Sequence, residues 1–188
     1  MKTRVIIVDN QNLSNEDFEF LSQPLALQFK DASVVKLNGN NTGWLGRELR
    51  TALDNNCDQV LCVPINALEV DVPAIQAASV ANNAPLVVGE FETGPESFFA
   101  INKYFAYIDL SFFRANNINM DWGPDWVSEN TIGYPSTTVS GNILEKADGT
   151  EYSTSFGPGW IVLSSVLNAN GRILKYPVEL LDNIASVA

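Results

Sequence analysis

Val5-Ile6-Ile7-Val8-Asp9-Asn10 is an unbroken apolar run that closes on an acid and an amide. β-Branched side chains dominate it, and no polar residue alternates with them. A strand with one wet face would alternate, so this run predicts a strand covered on both faces. Gln59-Val60-Leu61-Cys62-Val63 reads the same way and runs into Pro64-Ile65-Asn66. Val34–Leu37 and Leu86–Gly89 are shorter strands of the same kind. Helical patterns lie between them. Ser14–Leu21 has Ser14 as N-cap and Asp17 three positions on. Thr42–Asn55 places Leu45, Leu49, Ala52 and Leu53 on one face. Asp71–Asn82 carries Pro73 in its first turn, where a missing N–H costs nothing. Strands alternating with helices predict an α/β fold, with a mainly parallel sheet flanked by helices. One domain is expected over residues 1–188, with a C-terminal β-hairpin and helix.

The pattern changes after Gly94-Pro95. Phe98, Ile101, Phe105, Ile108 and Phe112 recur at three- and four-residue intervals, which predicts a helix over 98–113 with an aromatic stripe. Such a stripe packs on a core or forms a subunit interface, and Tyr104 and Tyr107 lie off it. Ala115–Pro135 reads as irregular. Asp148-Gly149, between Val139–Leu144 and Glu151–Ser155, is a hairpin signal. Trp160–Leu167 is a short apolar segment for which Gly171 is a candidate C-cap. Pro177 opens a final amphipathic helix, Val178–Val187.

The 22 acids and 11 bases give a net charge of -11. That surface repels phosphate backbones and anionic bilayers, so neither nucleic acid nor membrane is an expected partner. The absence of histidine excludes imidazole acid/base chemistry and imidazole metal sites. Two cysteines are too few for a disulfide framework, and Cys62 sits within an apolar run, as a buried thiol would. Lys2 and Arg4 precede only a short apolar run, so no signal peptide is expected and the localisation reads as cytoplasmic. Hydrophobic residues make up 46 %, enough for a real core.

In an open α/β sheet the ligand crevice lies at the carboxyl ends of the strands. Asp9-Asn10, Leu37-Asn38-Gly39 and Pro64-Ile65-Asn66 fall there. Their order, with the turn Asn41-Thr42-Gly43, resembles the inverting nucleotide-sugar glycosyltransferases of the GT-A fold, a Rossmann-like architecture. The resemblance implies that Asp9, with Asn10 beside it, contacts the nucleotide base. It places Asn41 and Gly43 on an Asn-x-Gly turn, and Pro64-Ile65-Asn66 where an Asp-x-Asp would hold a metal. Gly141–Gly149 resembles the segment that passes along the sheet, and Gly157–Leu167 the segment that faces the acceptor.

The chain departs from that pattern in several places. It begins at what corresponds to the family's second strand. Asn12 and Ser14 replace a Ser and an Asp that follow the base-contacting acid. A neutral amide at Asn66 cannot supply the charge that Mg²⁺ or Mn²⁺ requires. No cofactor is therefore expected, unless an acid such as Glu69 or Asp71 takes over. The region of the family's catalytic base reads Ala169-Asn170-Gly171-Arg172. An inverting transfer needs a general base, and Asp121 and Asp125 are the remaining candidates. Trp122, Trp126 and Trp160 either stack on sugar rings or anchor their segments to the core.

Two functions are compatible with these residues. One is a glycosyltransferase-like protein, catalytically weak or inactive, that retains nucleotide-sugar or glycan binding. The other is a structural or assembly protein that reuses the fold, such as a subunit of a viral particle, and associates through 98–113.

Overall fold

The computed structural model describes residues 1–9, 12–27, 33–38, 42–65, 70–89, 91–93, 99–101, 105–121, 127–156 and 159–176. The apolar runs form the centre of an eight-stranded sheet. β1 (Thr3–Asp9) lies between β2 (Ser33–Asn38) and β3 (Gln59–Pro64), parallel to both. Helix α1 (Asn15–Leu27) connects β1 to β2, and α2 (Thr42–Asp54) connects β2 to β3. Helix α3 (Val72–Asn82) leads to β4 (Leu86–Val88).

Side chains alternate across β1. Ile6 and Val8 enter one apolar cluster with Leu45 and Leu49 of α2. Val5 and Ile7 enter another with Phe18 of α1 and Ile75 of α3. The strand is thus covered on both faces, as its unbroken pattern requires. Each such fully buried aliphatic side chain contributes about 2 kcal/mol.

A small hairpin, β5 (Phe91–Thr93) with β6 (Phe99–Ile101), follows β4. Then β7 (Ala106–Asp109) returns between β3 and β4, antiparallel to both, and runs into α4 (Leu110–Ala115). The predicted helix over 98–113 is therefore replaced by β6, β7 and α4. Phe105 and Tyr107 pack in one cluster while Ala106 and Ile108 pack in the other. Phe105 and Ile108, read as neighbours on a helical stripe, point to opposite faces of a sheet. Tyr107 is 6 % exposed and offers little outer surface for association; Tyr104 lies outside the described residues.

The last elements are β8 (Val127–Ser140), β9 (Ile143–Phe156), α5 (Trp160–Asn168) and β10 (Ile173–Lys175). The sheet order is β2-β1-β3-β7-β4-β10-β9-β8. Three of its seven pairings are parallel and four antiparallel, so the expectation of a mainly parallel sheet is corrected to a mixed, largely antiparallel one. The reason is connectivity. A parallel neighbour needs a long crossover, whereas β7 returns from a hairpin and β8–β9 is itself a hairpin.

The β8–β9 turn falls at Gly141-Asn142, with Gly141 at φ +57°, the positive value that the first position of a II′ turn requires. Asp148-Gly149, the stronger turn signal, lies inside β9 instead. The register slips between Pro135 and Thr137, and 147–149 form the longer side of that irregularity. Val127–Pro135, expected to be irregular, belongs to β8. Helix α1 continues past Leu21 and through Pro24, whose ring leaves the Phe20 carbonyl without a helical donor. Val178–Val187 lies outside the described residues. Among the described residues, no helix is long and apolar enough to cross a membrane.

Candidate functional site

Asp9 ends β1, opposite Asn38 of β2. One residue earlier, Val8 pairs with Pro64 of β3, and the Ile65 N–H extends the ladder to the Val8 carbonyl at 3.0 Å. The carboxyl ends of the parallel strands therefore lie side by side, where an open sheet would present a ligand crevice.

Asp9 is 0 % exposed. Its Oδ2 accepts from the Leu13 N–H at 2.9 Å and faces Lys36 Nζ at 3.2 Å. Lys36 also donates to the Leu13 carbonyl at 2.8 Å and lies 5.1 Å from the centre of the Phe18 ring. Asn12, at φ 56°, turns the chain so that Leu13 comes back over the acid. An isolated buried carboxylate is costly, and here a backbone donor and an ammonium group offset that cost. The carboxylate fastens the β1–α1 connection to β2.

The other expected site residues that the structure describes stand on separate elements. Gly43 is the second residue of α2. Asp71 caps α3, its carboxylate accepting from the Ala74 N–H at 3.0 Å, so that acid serves the helix end. Asp121 is exposed, and its N–H donates to Asn119 Oδ1 at 2.9 Å. Trp160 opens α5 and packs, half-buried, against the first core cluster. Asn10, Asn41, Asn66, Glu69, Trp122, Asp125 and Trp126 lie outside the described residues. Among the described residues, no group of three or more acids or thiols is placed to hold a metal ion.

A second polar centre lies at the opposite edge of the sheet. Gln59 opens β3 and is 3 % exposed. Its Oε1 accepts from Gln76 of α3 at 2.8 Å and from the Tyr107 hydroxyl at 3.1 Å. Its Nε2 donates to Thr3 Oγ1 at 2.7 Å. Burial, reinforced by the charge of Asp109, pushes the Tyr107 phenol up to about 12. Asp109 itself caps α4 through the Ser111 N–H at 2.9 Å. A cavity of about 720 Å³ opens here, between α3 and the starts of β3 and α4. Sequence reasoning passed over this centre, although a glutamine heading an apolar run was its visible sign. Burial also pushes the Cys62 thiol up to about 12, which keeps it protonated and inert.

Comparison with protein-family models, with curated proteins and with solved structures returns no match for this chain.

Proposed function

We propose that the chain is a non-catalytic structural or assembly protein with a glycosyltransferase-like arrangement of its first strands, and that it works through protein contacts. The observation that carries this reading is Asp9. The acid that the resemblance assigns to a nucleotide base is fully buried and held by Leu13 and Lys36. A base edge has no access to a carboxylate in that position. The neutral Asn66 at the metal position points the same way, because a diphosphate beside it lacks its metal.

Nucleotide-sugar or glycan binding is the second reading. The side-by-side carboxyl ends of β2, β1 and β3 favour it. Calorimetric titration of uridine and guanosine diphosphates into wild type and Asp9→Asn decides between the two. No binding at millimolar ligand is expected, nor any hydrolysis of UDP- or GDP-sugars with Mg²⁺ or Mn²⁺. Binding to wild type that Asp9→Asn abolishes, with the melting curve retained, would overturn the proposal.

A further inference from the structure

Helix α3 has the sequence VPAIQAASVAN. Val72, Ile75 and Ser79 face inward and are buried. The outward positions Pro73, Ala74, Ala77, Val80 and Ala81 are exposed and apolar. A helix on a surface normally turns charged and polar residues to water, whereas α3 carries no charged residue and only Gln76 and Asn82 as partly exposed polar ones. Val80 is 82 % exposed, so its isopropyl group stands almost wholly in water.

This outer face is one wall of the 720 Å³ groove. Tyr107 and Gln76 form part of its lining, and Asp58 and Asp109 border it. Met1 also lines it, and among the described residues no lysine or arginine does. The wall is built of small side chains, which let a partner's backbone come close, and the border carries negative charge.

From this geometry we infer that the α3 groove receives a basic amphipathic helix of a partner protein. The inference rests on the protein-contact reading above and gives the chemistry of the partner. The apolar face of such a helix covers Ala77, Val80 and Ala81, and its lysines or arginines meet Asp58 and Asp109. A second copy of this chain fits poorly. With a net charge of -11, it would bring acids against the same acids.

The test uses the full chain and two labelled synthetic helical peptides, each about four turns long. One has leucines on one face and lysines on the other; its counterpart carries glutamates in place of lysines. In fluorescence anisotropy the leucine–lysine peptide should bind at micromolar concentration, and the leucine–glutamate peptide should not. Val80→Asp should weaken binding by about tenfold or more, as should Ala77→Asp. Both variants add negative charge, so attraction by net charge alone would tighten binding instead. Both sites are exposed, and unchanged melting curves verify the fold. The inference is overturned by failure of the leucine–lysine peptide to bind, by equal binding of both peptides, or by variants that bind as wild type does. It is also overturned if wild type self-associates in sedimentation and Val80→Asp abolishes this, for then a second copy covers the groove. The nucleotide titration reports on the opposite edge of the sheet. A failed peptide test with no nucleotide binding therefore sinks the partner and leaves the non-catalytic reading standing.

Discussion

Single residues in this chain are constrained by what they touch, and Gly171 is one of the tightest. A Cβ placed there would lie 2.8 Å from Phe112 Cζ, 2.8 Å from Val166 Cγ1 and 3.1 Å from the Pro85 ring. Val166 is fully buried and the proline ring is rigid, so neither can easily give way. Gly171→Ala should destabilise the fold by about 2 kcal/mol through overpacking. Urea unfolding checks this, and a loss under half that size would mean that α5 can shift. Asp9 is constrained by its partners instead. Asp9→Ala leaves the Leu13 N–H without its acceptor and Lys36 without its carboxylate. The expected loss is about 2 kcal/mol, because the Leu13 N–H loses its buried acceptor, while the Lys36 side chain, 24 % exposed, keeps access to water. Lys36→Met removes the opposite partner. Measured together, the two should show strong coupling in a double-mutant cycle. Additive losses would show that Asp9 and Lys36 act separately.

Among the elements, the helix ends share one device. Asn56, Asn83, Asn117 and Asn170 stand in the left-handed region, with φ between 50° and 59°. Each follows the last turn of α2, α3, α4 or α5. In each case the next N–H reaches back to a carbonyl five residues earlier: Cys57 to Ala52, Ala84 to Ser79, Ile118 to Phe113 and Gly171 to Val166. This is the Schellman closure with asparagine where glycine is more usual. Asparagine tolerates the left-handed region better than other side chains do, whereas alanine there costs about 1 kcal/mol. Asn83→Ala should therefore lower the melting temperature by roughly 2–4 °C, and Asn83→Gly should leave it unchanged or raised. If alanine and glycine behave alike, the closure does not limit stability. The sign is legible in the doublets Asn55-Asn56, Asn82-Asn83 and Asn116-Asn117, whereas Gly171, the expected C-cap, follows the left-handed Asn170, supplies the closing N–H and is held to glycine by packing. The apolar runs of β1, β3 and β4 and the helices between them were legible because local pattern and burial agree there. Strand β7 was not, because the three- and four-residue spacing of Phe105, Ile108 and Phe112 fits a helix as well as a strand running into α4. Its insertion between β3 and β4 depends on distant partners, which leave no local mark. Asp148-Gly149 carried the stronger turn chemistry, and the pairing of β9 with β8 overrode it. At the site, Asp9 could be located from the sequence but its partner could not, since Lys36 lies on a separate strand.

For the molecule as a whole, two buried acids tie stability to alkaline pH. The Cys62 thiol rises from 9.0 to about 12 through burial. The Tyr107 phenol rises from 10.0 to about 12 through burial and the nearby charge of Asp109. In both cases the folded chain holds its proton more tightly than the unfolded chain. Stability then falls with pH wherever the unfolded chain has lost the proton and the folded chain has kept it. The contribution is complete below pH 9 for Cys62 and below pH 10 for Tyr107, and both are lost as pH rises toward about 12. The unfolding free energy in urea should accordingly be flat on this account up to pH 9 and then decline. Each group adds at most about 1.4 kcal/mol per pH unit to that slope. Tyr107→Phe separates the two. It forfeits the hydrogen bond to Gln59 Oε1, a loss of about 1 kcal/mol at neutral pH, while Gln76 still satisfies that oxygen. It also removes one titrating proton, so the decline between pH 10 and 12 should be shallower than in wild type, with the earlier decline from Cys62 unchanged. Parallel slopes for the two proteins across that window would mean that the phenol titrates as it does in water. The network joining β1, β3, β7 and α3 would then be open to solvent in the folded state.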